Sequence, residues 1–245
     1  GDGNTVVIDG RGDDNSTGAI WVFTRTNGVW GQQGSKLVGS GSTGPLFQGF
    51  PTISGDGNTI VFGSAQPAGG SHGFSWVFTR NNGVWSQQGG MLIGSDTGGS
   101  AYQGVSAALS ADGNTAIVGG YDAVTAAGYA WVFTRRDEIW TQQSERLVAA
   151  QPFAGRPSSV SLSGKGSTAI LNTSVFTRER GRNGVWLQTD SLSAIPGPVA
   201  LAADVDTVVV GEPADNFGAG AALIFEGSPS QMHWRLGREP EPRKN

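Results

Sequence analysis

The sequence predicts an all-β fold, a β-propeller of about five four-stranded blades with one blade incomplete. Three observations predict it. Sequence landmarks recur along the chain, short apolar runs alternate with turn chemistry, and no segment sustains a helical period. The clearest landmark is Trp21-Val22-Phe23-Thr24-Arg25, which returns as Trp76-Val77-Phe78-Thr79-Arg80 and as Trp131-Val132-Phe133-Thr134-Arg135, each 55 residues after the last. Ser174-Val175-Phe176-Thr177-Arg178 is a degraded copy, and Ala222-Leu223-Ile224-Phe225-Glu226 a weaker one.

Each unit reads as strands in a fixed order. It opens on a turn: Gly1-Asp2-Gly3-Asn4-Thr5, Gly55-Asp56-Gly57-Asn58-Thr59, Ala111-Asp112-Gly113-Asn114-Thr115, then Gly164-Lys165-Gly166-Ser167-Thr168 and Ala203-Asp204-Val205-Asp206-Thr207. Asp and Asn side chains bond local backbone, and Gly supplies positive φ. The β-branched run after it (Thr59-Ile60-Val61-Phe62, for example) is a strand. A variable loop follows, at residues 10–18, 64–74, 120–128 and 212–220, and then the Trp-headed strand. Asn-Gly predicts a tight hairpin into the next strand, which carries Trp30, Trp85, Trp140, Trp186 or Trp234. Gln pairs follow in the first three units, at Gln32-Gln33, Gln87-Gln88 and Gln142-Gln143. The remaining strand of each blade is expected near Pro51–Ser54, Val105–Ser110, Ser159–Ser163 and Pro198–Ala202. No such strand precedes Gly1, so the first blade is expected to be incomplete and to face the fifth.

These units define a single domain over residues 1–237, with repeats at about 1–54, 55–110, 111–163, 164–203 and 204–237, and a flexible tail at 238–245. Continuous apolar runs, instead of clean alternation, fit strands buried on both faces between neighbouring blades. The chain opens without Met, which reads as a processed chain or a fragment.

Composition narrows the function classes. A net charge of −4 with 15% charged residues gives no basic footprint for nucleic acid. No apolar stretch approaches the ~20 residues of a membrane helix. With no Cys, thiol catalysis and cysteine metal sites are excluded. His72 and His233 lie in different units, with no spacing for a triad or a metal pair. Arg11-Gly12-Asp13 falls in a variable loop and reads as a chance tripeptide.

The repeat resembles the FG-GAP, or integrin-α-like, propeller repeats. The likeness rests on Asp112-Gly113-Asn114-Thr115 leading to Ile117-Val118-Gly119-Gly120, and on Val208-Val209-Val210-Gly211-Glu212-Pro213 with Asp215-Asn216-Phe217-Gly218-Ala219-Gly220. It implies a secreted or cell-surface binding protein. Ca²⁺ is often bound by that family, but the turns here carry single acids, Asp2, Asp56 and Asp112, with Lys165 in the fourth. Ca²⁺ needs about 6–8 oxygens, so no cofactor is expected.

The expected function is a non-catalytic scaffold that binds a protein or glycan ligand through its variable loops. One alternative is a lectin-like propeller with sugar sites between blades. Its candidate ligand-binding residues are Trp30, Trp85, Trp140 and Trp186, with Gln33, Gln88 and Gln143 as polar partners. The other alternative is a hydrolase on the same scaffold, which would need clustered acids.

Overall fold

The computed structural model describes residues 1–41, 51–64, 73–96, 101–122, 124–150, 158–179, 184–194, 197–212, 220–227 and 234–236. Among these residues nineteen strands form five antiparallel sheets, each a sequential meander. Blade 1 holds β1 (Thr5–Gly10), β2 (Ala19–Thr26) and β3 (Val29–Gln32). Blade 2 holds β4 (Thr52–Ile53), β5 (Thr59–Ser64), β6 (Phe74–Asn81) and β7 (Val84–Gln87). Blade 3 holds β8 (Ala101–Leu109), β9 (Thr115–Asp122), β10 (Gly128–Arg136) and β11 (Ile139–Val148). Blade 4 holds β12 (Val160–Leu162), β13 (Thr168–Leu171), β14 (Ser174–Arg178) and β15 (Trp186–Ser191). Blade 5 holds β16 (Val199–Leu201), β17 (Thr207–Glu212), β18 (Ala221–Gly227) and β19 (Trp234–Leu236). The opening strands β4, β8, β12 and β16 pack against one another along the inside of the array. Among the described residues blade 1 has three strands and no such innermost one, as its sequence predicts.

The core is four apolar clusters, one at each junction of consecutive blades. Ile60 and Phe62 of β5 pack toward blade 1, and Val61 packs toward blade 3. Ala116 and Val118 of β9 face blade 2, while Ile117 faces blade 4. Alternate residues therefore serve opposite neighbours, which is why these strands read as unbroken apolar runs. The terminal blades differ. On β1, Val7 packs inward but Val6 and Ile8 are exposed, and on blade 5 so are Val209 and Ile224. Among the described residues no apolar cluster joins blade 5 to blade 1.

The Trp-headed strands of blades 2 and 3 are each seated on the blade before. A Cβ on Gly39 would lie 2.2 Å from the Trp76 ring, and one on Gly94 would lie 2.2 Å from Trp131 Nε1. Both indoles are fully buried. Their N–H groups are satisfied across the junction, Trp76 by the Ser40 carbonyl at 2.9 Å and Trp131 by Asp96 at 2.8 Å. In the next blade Ser174 stands where the Trp stood, and Ala149 stands where the Gly stood. The pair has changed together: Ser174 Oγ now accepts from the Ala150 N–H at 3.0 Å.

The opening turns form a backbone belt. The Asp56 N–H donates to the Ala111 carbonyl at 2.8 Å, Ala111 N–H to Gly164 at 2.8 Å, and Gly164 N–H to Ala203 at 3.0 Å. Inside each turn the acid is consumed locally. Asp112 Oδ1 accepts from Ser110 Oγ at 2.6 Å and from the Asn114 N–H at 3.0 Å. Asp56 accepts the Asn58 N–H at 2.9 Å and the Ser54 hydroxyl. Among the described residues no group of three or more His, Cys, Asp or Glu could hold a metal ion, and no helix is long and apolar enough to cross a membrane.

Candidate active site

The Gln pairs are clasps between blades. Gln33 Oε1 of blade 1 accepts from Trp85 Nε1 at 2.8 Å and Arg80 Nη1 at 3.2 Å. Gln88 Oε1 of blade 2 accepts from Trp140 Nε1 at 3.0 Å and Arg135 Nη1 at 3.1 Å. Each Arg lies over its own Trp, at 5.2 Å for Arg80–Trp85 and 5.3 Å for Arg135–Trp140, and donates through Nε to Asn58 or Asn114. The first Gln of each pair reaches back: Gln87 accepts from the Ser40 N–H and Gln142 from the Ser95 N–H, both at 2.8 Å.

The sequence-predicted residues therefore divide. Trp85 meets Gln33, and Trp140 meets Gln88, with the indole N–H bonded and one ring face under a guanidinium. Trp30 lies beneath Arg25 at 5.4 Å with no Gln beside it among the described residues. Trp186 is buried with its N–H unpaired, and Gln143 packs so close to Gly184 that a Cβ there would meet its Oε1 at 2.2 Å. Of the variable loops, 65–72, 123 and 213–219 lie outside the described residues. In loop 10–18, Arg11 bonds Asp9 at 3.3 Å and Asp13 pairs with Lys36.

Between blades 2 and 3 the clasp opens into a polar cleft of about 350 Å³, lined by Asp56, Asn58, Arg80, Gln88, Arg135, Asp137 and Glu138, among others. The hairpins on either side explain its character. In blades 1 and 2 the β2–β3 and β6–β7 turns are Asn27-Gly28 and Asn82-Gly83, with φ of +51° and +80°, and +51° and +81°. This is the left-handed pair that a two-residue hairpin demands and that Asn-Gly supplies at little cost. In blade 3 the same turn is Asp137-Glu138, at φ +49° and +64°. A non-glycine residue in that region costs on the order of 1–2 kcal/mol. The strain places two carboxylates at the mouth of the cleft, beside Arg135.

Arg135 is a half-buried cation. Its Nη2 also donates to Thr59 Oγ1 at 3.2 Å, so three of its donors are held and each Nη keeps a second hydrogen. Burial pushes its pKa down, against the opposing pull of Asp56, Asp112 and Glu138. The cleft thus juxtaposes fixed guanidinium donors, which suit an anionic oxygen, with carboxylates that can exchange a proton. Sequence reasoning singled out the Trp and Gln residues and missed Arg80, Arg135, Asp137 and Glu138. The signal was present, as the one place where Asp-Glu replaces a repeated Asn-Gly.

No family model and no curated protein matches the chain. Solved structures do. A Bacteroides uniformis protein assigned as a 6-phosphogluconolactonase superposes with a TM-score of 0.63 at 14% identity, over 96% of this chain and 67% of its own. A Bacteroides fragilis protein with the same assignment gives 0.61 at 14%, over 96% and 67%. An oligogalacturonate lyase in complex with manganese gives 0.51 at 9%, over 93% and 63%.

Two expectations are corrected. The similar structures are not integrin-α-like repeats, so the FG-GAP resemblance does not hold; turn glycines and β-branched runs are what any blade requires, and they carried the likeness. Nor does the expectation of a non-catalytic binding scaffold stand. The neighbours are described as enzymes, and this chain gathers acids and cations in a cleft that the linear sequence disperses. By its fold the chain is a β-propeller, similar to solved structures described as 6-phosphogluconolactonases and an oligogalacturonate lyase.

Proposed function

We propose that this protein is a hydrolase that opens a lactone, or a related ester, of an anionic sugar acid in the cleft between blades 2 and 3. The observation that carries the proposal is the Asp137-Glu138 turn, held at positive φ beside Arg135 where the sister blades have Asn-Gly. Backbone strain that persists at a cleft suggests use. The names of two fold neighbours supply the substrate class.

In this reading Arg80 and Arg135 hold the anionic group of the substrate. A carboxylate of the turn, Glu138 foremost, takes a proton from the water that adds to the lactone carbonyl carbon. The ring C–O bond then breaks, and the proton passes to the departing alkoxide oxygen. The test is pH-stat titration of acid release from aldonolactones, with and without a phosphate group. Turnover that falls by about 10²-fold or more in Glu138→Gln, with an unchanged circular dichroism spectrum, is the expected result. No acid release above the uncatalysed rate, or full activity in both Glu138→Gln and Asp137→Asn, would overturn the assignment.

A further inference from the structure

Blade 1 presents a half-made junction, and its unfilled contacts describe what would complete it. The residues of β1 correspond to those of β5 and β9 in register from the shared Thr, so Val6 matches Ile60 and Ala116, and Ile8 matches Phe62 and Val118. The four counterparts are fully buried, whereas Val6 is 40% and Ile8 49% exposed. The polar groups repeat the pattern. Arg25 makes its Asn4 bond at 3.1 Å and covers Trp30, as in the other blades, but among the described residues none supplies the Gln that Arg80 and Arg135 receive. Gln32 matches Gln87 and Gln142, yet among the described residues no backbone N–H reaches its Oε1. Trp21 matches Trp76 and Trp131, yet among the described residues only Gly10 of its own blade packs on its ring, no glycine of a preceding blade seats it, and no acceptor meets its N–H.

Among its described residues the fifth blade does not supply these groups. Leu236 pairs with Phe225 as Gln32 pairs with Phe23, so blade 5 carries Leu236 and, next in sequence, Gly237 where a donor blade carries Gln-Gln. Closure of blade 5 on blade 1 would leave Arg25 and Trp30 unmatched, and so would a second copy joined head to tail.

We propose that the outer face of blade 1 is a docking surface for one further blade of this same repeat. That blade's outermost strand carries a Gln at the position of Gln33, and a Gly-Ser pair follows at the position of Gly39-Ser40. The Gln bridges Arg25 and Trp30, the glycine seats Trp21, and the serine's backbone serves Gln32 and the Trp21 N–H. Apolar residues from its inner strands cover Val6 and Ile8. The proposal rests on hydrogen-bond and shape complementarity already realised at the two following junctions, 1–2 and 2–3.

A tandem duplication tests it. Residues 1–54 are repeated ahead of Gly1 of the full chain, which places a copy of Gln33, Gly39 and Ser40 in register with Arg25 and Trp21. Hydrogen exchange is then read at the amides of Val6, Val7 and Ile8 in the original segment. These should slow by about tenfold or more, and Gln33→Ala in the added copy alone should return a large part of that protection. Val6→Asp with Ile8→Asp in the unduplicated chain is the second variant; it should leave oligomeric state and folding unchanged. Unchanged exchange in the duplicated chain would overturn the proposal. So would an unduplicated chain that sediments as a dimer and dissociates on the Asp substitutions, since a second copy would then be the occupant.

Discussion

Of the residues that stand in this chain where the repeat asks for glycine, two allow strain to be separated from use. Glu138 sits at φ +64° in the blade 3 hairpin, and Val205 at φ +72° in the opening turn of blade 5, where Gly57, Gly113 and Gly166 stand elsewhere. Each should gain roughly 1 kcal/mol when converted to Gly, because the left-handed penalty disappears. Urea denaturation should register both gains. Catalysis should distinguish them: Val205→Gly leaves turnover intact, while Glu138→Gly loses it with the carboxylate. A titratable turn adds a pH dependence. Burial works to raise the Asp112 pKa, but hydrogen bonds from Ser110 and Asn114 outweigh it and leave the pKa below its ordinary value. A depressed folded-state pKa means that this stabilisation is complete above the unfolded value and is lost as pH falls through the folded one. Unfolding midpoints should therefore drop between about pH 5 and pH 2, and Asp112→Asn should flatten part of that slope.

At the scale of elements, the junctions carry their own specification. Gly94 exists for Trp131, since a Cβ would collide with the indole nitrogen. Gly94→Ala should cost about 1–3 kcal/mol by overpacking. In a Trp131→Leu background that cost should shrink toward zero, which a double-mutant cycle in urea would show as coupling. The protein has already made a related exchange at Ala149 and Ser174. The strands themselves were legible in sequence, because landmark residues recur at a fixed spacing and Asn-Gly marks its hairpins. The clasps were not. Gln33 and Trp85 are 52 residues apart, and only the stacking of one blade on the next brings them together. Read alone, the Trp and Gln residues suggested sugar platforms; in place, two of the four indoles have their N–H groups bonded to Gln and a face covered by Arg. The acids at residues 137 and 138 were overlooked for a different reason. Their meaning lies in a departure from the repeat, and the repeat's regularity drew attention first.

At the scale of the molecule, the described residues form five blades joined by four apolar junctions. The architecture was readable because each blade needs the same few things: a turn, a run buried on both sides, and a hairpin. For the same reason those features could not name a family, and the integrin-like likeness dissolved once structures were compared. What distinguishes this propeller is confined to departures from its own repeat. The cleft between blades 2 and 3 is one, and it is where hydrolysis is sought.

The belt of turn-to-turn bonds has a consequence for how such a chain can drift. Those bonds run main chain to main chain, from Asp56 to Ala111 to Gly164 to Ala203, and no side chain takes part in them. Those links survive some changes of residue, an acid becoming Lys165 or a glycine Val205, although close approaches remain: a Cβ on Gly55 would lie 2.9 Å from Ala111 Cα. The glycine seats and Gln clasps work by shape and by matched polar groups, so there a change on one blade obliges a change on the next. One set of joints tolerates independent variation and the other transmits it, and the fading fidelity of the later repeats follows that division.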